Sequence, residues 1–173
     1  MTITEPSTAT ADQQIRSLYD QCIEAWSRGN ARDFGETFTA DVDYVPFDGS
    51  RTIGRQAVVD NHDRLFRGVL AGSALVGEVE SIRYVLPDVA VVHTLGSVLM
   101  PWRSKLPAKR LSRQTIVAVR TGDGWRFTAF HNVRVRPRQI PGPNSFPSRA
   151  SRTLARVARL VGAGRRRETE TPS

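Results

Sequence analysis

Four long β-forming segments, one after another with little chain between them, constrain this sequence more than any other feature. Residues 75–86, 88–100, 109–121 and 124–134 are rich in Val, Leu, Ile and Thr, which suit a pleated, half-buried surface. Pro87-Asp88 makes a tight turn, and Gly122-Asp123-Gly124 closes a hairpin. Pro101 to Ala108, carrying Trp102, is a longer loop. Strands joined this closely pair as an antiparallel meander. The chain ahead of them is helical. Ile15, Leu18, Tyr19, Cys22, Ile23 and Trp26 repeat at helical spacing over residues 13–27, with Asp12 or Thr10 as a cap and Gly29 as a stop. Asn30 then caps a short helix, 31–38, that buries Phe34 and Phe38. Asp41 to Phe47 alternates like a strand, Asp48-Gly49-Ser50 turns, and a third helix over about 55–67 carries the stripe Val58, His62, Leu65 and Phe66. The expected class is α+β: a curled antiparallel sheet packed on three helices, leaving a cone-shaped pocket between the layers.

The net charge of +8 suggests nucleic acid until the chain is divided. Residues 1–133 hold 15 Lys/Arg and 15 Asp/Glu, whereas residues 134–173 hold ten Arg and two Glu. The domain is neutral and the excess lies in the tail, so the basic charge does not point the pocket to nucleic acid, while the tail can meet something acidic. Residues 135–149 contain four prolines, a linker composition, and Leu154, Val157, Ala158 and Val161 have the spacing of a short basic amphipathic helix. The expected organisation is a flexible N-terminus over 1–11, a domain over 12–134 and a largely disordered Pro/Arg-rich tail over 135–173. No apolar run reaches the roughly 20 residues of a membrane span, and Met1 to Ala11 lacks a secretory pattern. A cytoplasmic protein is expected. The single cysteine, Cys22, excludes an internal disulfide.

Strand parity sorts the candidate residues. In the last strand Trp125, Phe127, Ala129, His131 and Val133 share the more apolar face, taken as the pocket side, and Asn132 points away from it. An even-length hairpin loop puts Ser112, Gln114, Ile116 and Ala118 on that same face, with Gln114 beside His131. The segment 88–100 is apolar on both faces. It needs cover on both, and a second copy of the chain is the simplest cover for the outer one, so a homodimer through the sheet is expected.

Taken together, Gly124-Trp-Arg-Phe-Thr-Ala-Phe-His-Asn132, Trp26-Ser-Arg-Gly-Asn, Phe38-Thr-Ala-Asp41-Val-Asp43, Gly49, Gly54-Arg55 and Pro87-Asp-Val-Ala-Val-Val-His93 resemble the SgcJ/EcaC family of the SnoaL-like (nuclear transport factor 2-like) superfamily over about residues 12–134. The resemblance implies a dimeric cone-shaped fold, a place in polyketide and enediyne natural-product pathways, and an architecture shared with polyketide cyclases and ketosteroid isomerases. Aligning Gly49-Ser50 with the isomerase turn puts Pro46 where those enzymes carry their aspartate base. The oxidoreductase label used in the family has no support here, because no G-x-G-x-x-G follows a strand.

His131, His62 and Tyr44 are the candidate acid–base groups: two imidazoles able to move a proton near neutral pH, and a phenol able to donate to a developing oxyanion. Trp26, Phe38, Phe66, Gln114, Trp125 and Asn132 are the candidate ligand contacts. The three histidines lack metal-site spacing, so neither metal nor cofactor is expected. Two functions compete. One is acid–base chemistry (cyclisation, isomerisation or dehydration) on an apolar, polyketide-like intermediate. The other is a non-catalytic accessory role beside a partner biosynthetic enzyme.

Overall fold

Helix α1 (Thr8–Ser27) forms because its apolar residues keep one face: Ala11, Ile15, Leu18, Tyr19, Cys22, Ala25 and Trp26 are all buried. It begins ahead of the expected residue 13, and buried Ala11 extends the stripe by the extra turn. Gly29, at φ 65°, ends it, and the Asn30 side chain caps α2 (Ala31–Glu36) by accepting from the Asp33 amide at 3.0 Å. The computed structural model describes residues 8–107, 110–136 and 139–160. Residues 1–7 of the expected flexible N-terminus lie outside the described residues, while 8–11 belong to α1.

Strand β1 (Phe38–Val45) starts earlier than expected, so Phe38 is a strand residue and not the end of a helix. A two-residue strand β2 (Thr52–Ile53) pairs back on it, and α3 (Arg55–Arg67) follows. The meander is β3 (Ala74–Leu86), β4 (Val89–Leu99), β5 (Ser112–Thr121) and β6 (Gly124–Arg134). The sheet order is β2-β1-β6-β5-β4-β3. One expectation is corrected here. The sheet is mixed rather than antiparallel throughout, because the meander returns β6 alongside β1 in the same direction. A Gly77–Gly96 pair lets β3 and β4 pass under α1: a Cβ on Gly96 would lie 2.3 Å from the Val76 carbonyl oxygen, and one on Gly77 2.6 Å from the Tyr19 hydroxyl.

A β-bulge in β6 overturns the parity expectation. Val117 pairs with Ala129, but the next β5 residue, Ala118, pairs with Phe127, leaving Thr128 as the extra residue of β6. Before the bulge Trp125 and Phe127 face the helices; beyond it the inward residues are Phe130, Asn132 and Arg134. His131 is thereby exposed on the outer face, contrary to the parity expectation, and Asn132 takes the place beside Gln114. The described residues after Arg136 belong to a separate unit, whose helix α4 (Phe146–Leu160) is longer than the stretch expected from the sequence; Val161 lies outside the described residues. No helix among the described residues is long and apolar enough to cross a membrane.

Candidate functional site

The concave side of the sheet changes character along its length. Across β4, β5 and β6 the inward rows are Val92–Ile116–Phe130, then Thr94–Gln114–Asn132, then Gly96–Ser112–Arg134. An apolar floor gives way to an amide row and then to a cationic rim.

At the floor sits an aromatic cluster contributed by all three helices of the domain and by β1. Phe34 is its hub, with ring centroids 4.4 Å from His62, 5.3 Å from Phe38 and 5.6 Å from Trp26. Phe66 lies edge-on to Trp26 at 5.1 Å. Tyr44 stacks on Phe130 at 4.5 Å and 4°. The cluster holds two titratable groups in contact: the Tyr44 hydroxyl is 3.4 Å from His62 Nε2. His62 Nδ1 lies 2.8 Å from the Val58 carbonyl, which only accepts, so Nδ1 carries the proton and Nε2 is the acceptor for Tyr44. Burial pushes the His62 pKa down to about 4, against a smaller opposing effect of the Val58 carbonyl. Burial likewise raises the Tyr44 phenol well above its ordinary value. At neutral pH the pair is uncharged, oriented and shielded. Cys22, on the buried face of α1, has its thiol pushed up to about 12 by burial and is inert.

Above the floor runs a relay of hydrogen bonds. Thr94 Oγ1 donates to Gln114 Oε1 at 2.5 Å, and Gln114 Nε2 donates to Asn132 Oδ1 at 3.2 Å. Gln114 is buried and bonded at both its oxygen and its nitrogen, whereas half-buried Asn132 accepts through its oxygen and its amide N–H groups have no partner among the described residues. At the rim the Arg134 guanidinium lies 4.3 Å over the Phe47 ring and donates to the Arg110 carbonyl at 3.0 Å. Phe47, Asp48, Arg110, Val133, Arg134 and Arg136 line a groove of about 540 Å³, a size that holds a small molecule. Burial, together with Arg110 and Arg136, lowers the Arg134 pKa. Among the described residues none of these three arginines forms an ion pair, and Asp48 is held by the Ser50 amide and hydroxyl.

The expected site residues therefore separate into three places. His62, Tyr44, Trp26, Phe38 and Phe66 share the buried aromatic cluster. Gln114 and Asn132 form the amide row. Trp125 stands apart at the other end of β6, beside a second groove of about 450 Å³ lined by Gln14, Ser17, Gln21 and Asp123 among others, and its buried indole N–H has no hydrogen-bond partner among the described residues. His131 and His93 flank Thr115 on the outer face while His62 is inside, so the three histidines do not converge. Sequence reasoning missed Phe130, Thr94 and Arg134. Its available signal was Phe127 and Phe130, two large apolar residues at a spacing that no flat strand can bury on one face.

Comparison with known proteins identifies the fold. The sequence profile of the SnoaL-like domain matches residues 15–132. The fold is similar to a domain of unknown function with a cystatin-like fold from Nostoc punctiforme, at 24% identity and a TM-score of 0.70, covering 91% of this chain and 100% of that one. It is similar to an NTF2-like protein from Novosphingobium aromaticivorans, at 21% identity and a TM-score of 0.64, covering 82% and 88%. It is also similar to a ketosteroid isomerase-like protein from Erwinia carotovora, at 13% identity and a TM-score of 0.57, covering 72% and 96%. No curated protein matches. With its profile match spanning most of the chain, the chain belongs to the SnoaL-like domain family.

Proposed function

We propose that the domain binds a small, largely apolar molecule of the polyketide class, as part of a natural-product pathway, and performs acid–base chemistry on it: cyclisation, isomerisation or dehydration. One observation carries this reading, the neutral Tyr44–His62 pair at the floor of a graded concave face. A base must be unprotonated at working pH, and His62 is. A substrate proton passes to the Tyr44 oxygen as the Tyr44 proton passes to His62 Nε2. Phe130, half-buried and stacked on Tyr44, is the ring a ligand displaces on entry. Asn132 offers N–H donors beside it, and the rim arginines accept an anionic end of the ligand. The Gly124–Asn132 motif favours the SgcJ/EcaC branch of the family. The outer face, where Val91, Leu95 and Val117 are half-buried beside His93, suits a homodimer.

With an accepted intermediate as substrate, Tyr44→Phe and His62→Gln each reduce turnover by roughly 10²-fold or more, the scale of a lost proton-transfer group. His131→Ala leaves turnover unchanged. Unaltered product formation in both Tyr44→Phe and His62→Gln ends the catalytic reading.

A second reading is favoured by the same pair. Burial opposes ionisation of both groups, which suits a polar lining in a non-catalytic protein that shields a reactive intermediate beside a partner enzyme. Turnover by the isolated protein rules this out.

A further inference from the structure

The domain's neutrality leaves the chain's basic excess unexplained, and α4 concentrates much of it. Over Phe146–Leu160 there are four arginines and no acidic residue. Ser145 and Pro147 start the helix: the Ser145 hydroxyl donates to Ser148 Oγ, and the Arg149 amide donates to the Ser145 carbonyl. Arg149, Arg152, Arg156 and Arg159 recur at spacings of three, four and three, forming one stripe. Phe146, Ala150, Leu154 and Val157 recur at four, four and three, forming a second stripe on another face. The large apolar members are open to solvent: Phe146 is 84% exposed, Leu154 69% and Val157 51%.

We propose that α4 is a surface anchor for anionic lipid, lying in the headgroup region with Phe146, Leu154 and Val157 turned to the acyl chains and the arginines on lipid phosphates. Two properties have to be explained together, and they select the partner. Phosphates of a nucleic acid account for the arginines but leave the apolar stripe in water. An anionic bilayer surface accommodates both at once, which is the chemistry of an interfacial helix. The helix is too short to span a bilayer and carries four charges, so it lies on the surface. For a chain that handles apolar molecules, such an anchor places it where those molecules partition; the anchor itself stands independently of that function.

The test is co-sedimentation of the full chain with vesicles of phosphatidylglycerol and phosphatidylcholine, against vesicles of phosphatidylcholine alone, with poly(U) RNA as competitor. The anionic vesicles retain the protein at least roughly ten-fold better, and retention falls with salt. Leu154→Glu and Val157→Glu each lower it by roughly ten-fold through the apolar face, and Arg152→Gln with Arg156→Gln lowers it through the charged face. All these positions are exposed, so folding of the domain does not decide the result. Equal retention on both vesicle types, no retention on either, or RNA binding that displaces the lipid and is indifferent to Leu154→Glu overturns the proposal.

Discussion

Replacing Phe34 with alanine is expected to lower the unfolding free energy by roughly 3–5 kcal/mol, the usual cost of deleting a fully buried phenylalanine ring. Phe34 is 2% exposed and touches Trp26, Phe38, His62 and Phe66 through its ring. No single neighbour can close the void, because each ring is held by another: Trp26 by Phe66 and by its hydrogen bond to Ser73 at 3.1 Å, and Phe38 by Phe127. A domain of this size has only about 5–15 kcal/mol in total, so the variant is marginal at room temperature. Phe34→Leu, which keeps most of the volume, costs about 1.5 kcal/mol or less. Urea titration of both variants checks this. A loss below about 1 kcal/mol for Phe34→Ala would mean the ring cluster is not the hub of the fold.

Acid is expected to destabilise the protein well before its carboxylates titrate. His62 has an ordinary pKa of 6.5, and burial takes it to about 4 in the folded chain. Between those values the unfolded chain binds a proton that the folded chain does not, so stability rises with pH across the window. The contribution is fully present above pH 6.5 and is lost as pH falls towards 4; it amounts to about 3 kcal/mol. Asp43 and Glu80, whose carboxyls Arg51 and Arg113 hold below their ordinary values, add their losses at lower pH. His62→Phe isolates the effect: its stability changes little over the upper part of that window, above the range in which Asp43 and Glu80 titrate, where the parent's slopes. Parallel curves would show that His62 is not buried in its neutral form.

The helices and the meander were legible because each rests on a local repeat. The α3 stripe and the Gly122-Asp123 turn need only neighbouring residues to be read, and the structure has them over Arg55–Arg67 and between Thr121 and Gly124. The parallel pairing of β1 with β6 joins residues far apart in sequence and has no local signature. The site was legible as far as the Thr128 bulge. Gln114 faces inward as parity requires, but one unpaired residue in β6 moved His131 outward and brought Phe130, Asn132 and Arg134 in. A single insertion in the ladder exchanges every side chain beyond it, so a site built at a strand's end depends on that detail.

The proposed function requires the concave face between Tyr44 and the rim arginines to receive a small molecule with an apolar body. The most direct test is an NMR titration of the full chain with 2-naphthoate, an aromatic body carrying one carboxylate, following the backbone amides of the domain together with the side-chain amide signals of Gln114 and Asn132. Saturable shifts at Asn132, Gln114 and Phe130, with His131 unmoved, are the predicted result. Shifts confined to the outer face at His93, Thr115 and His131, or to the groove beside Trp125, or no saturable shift at all, would contradict it.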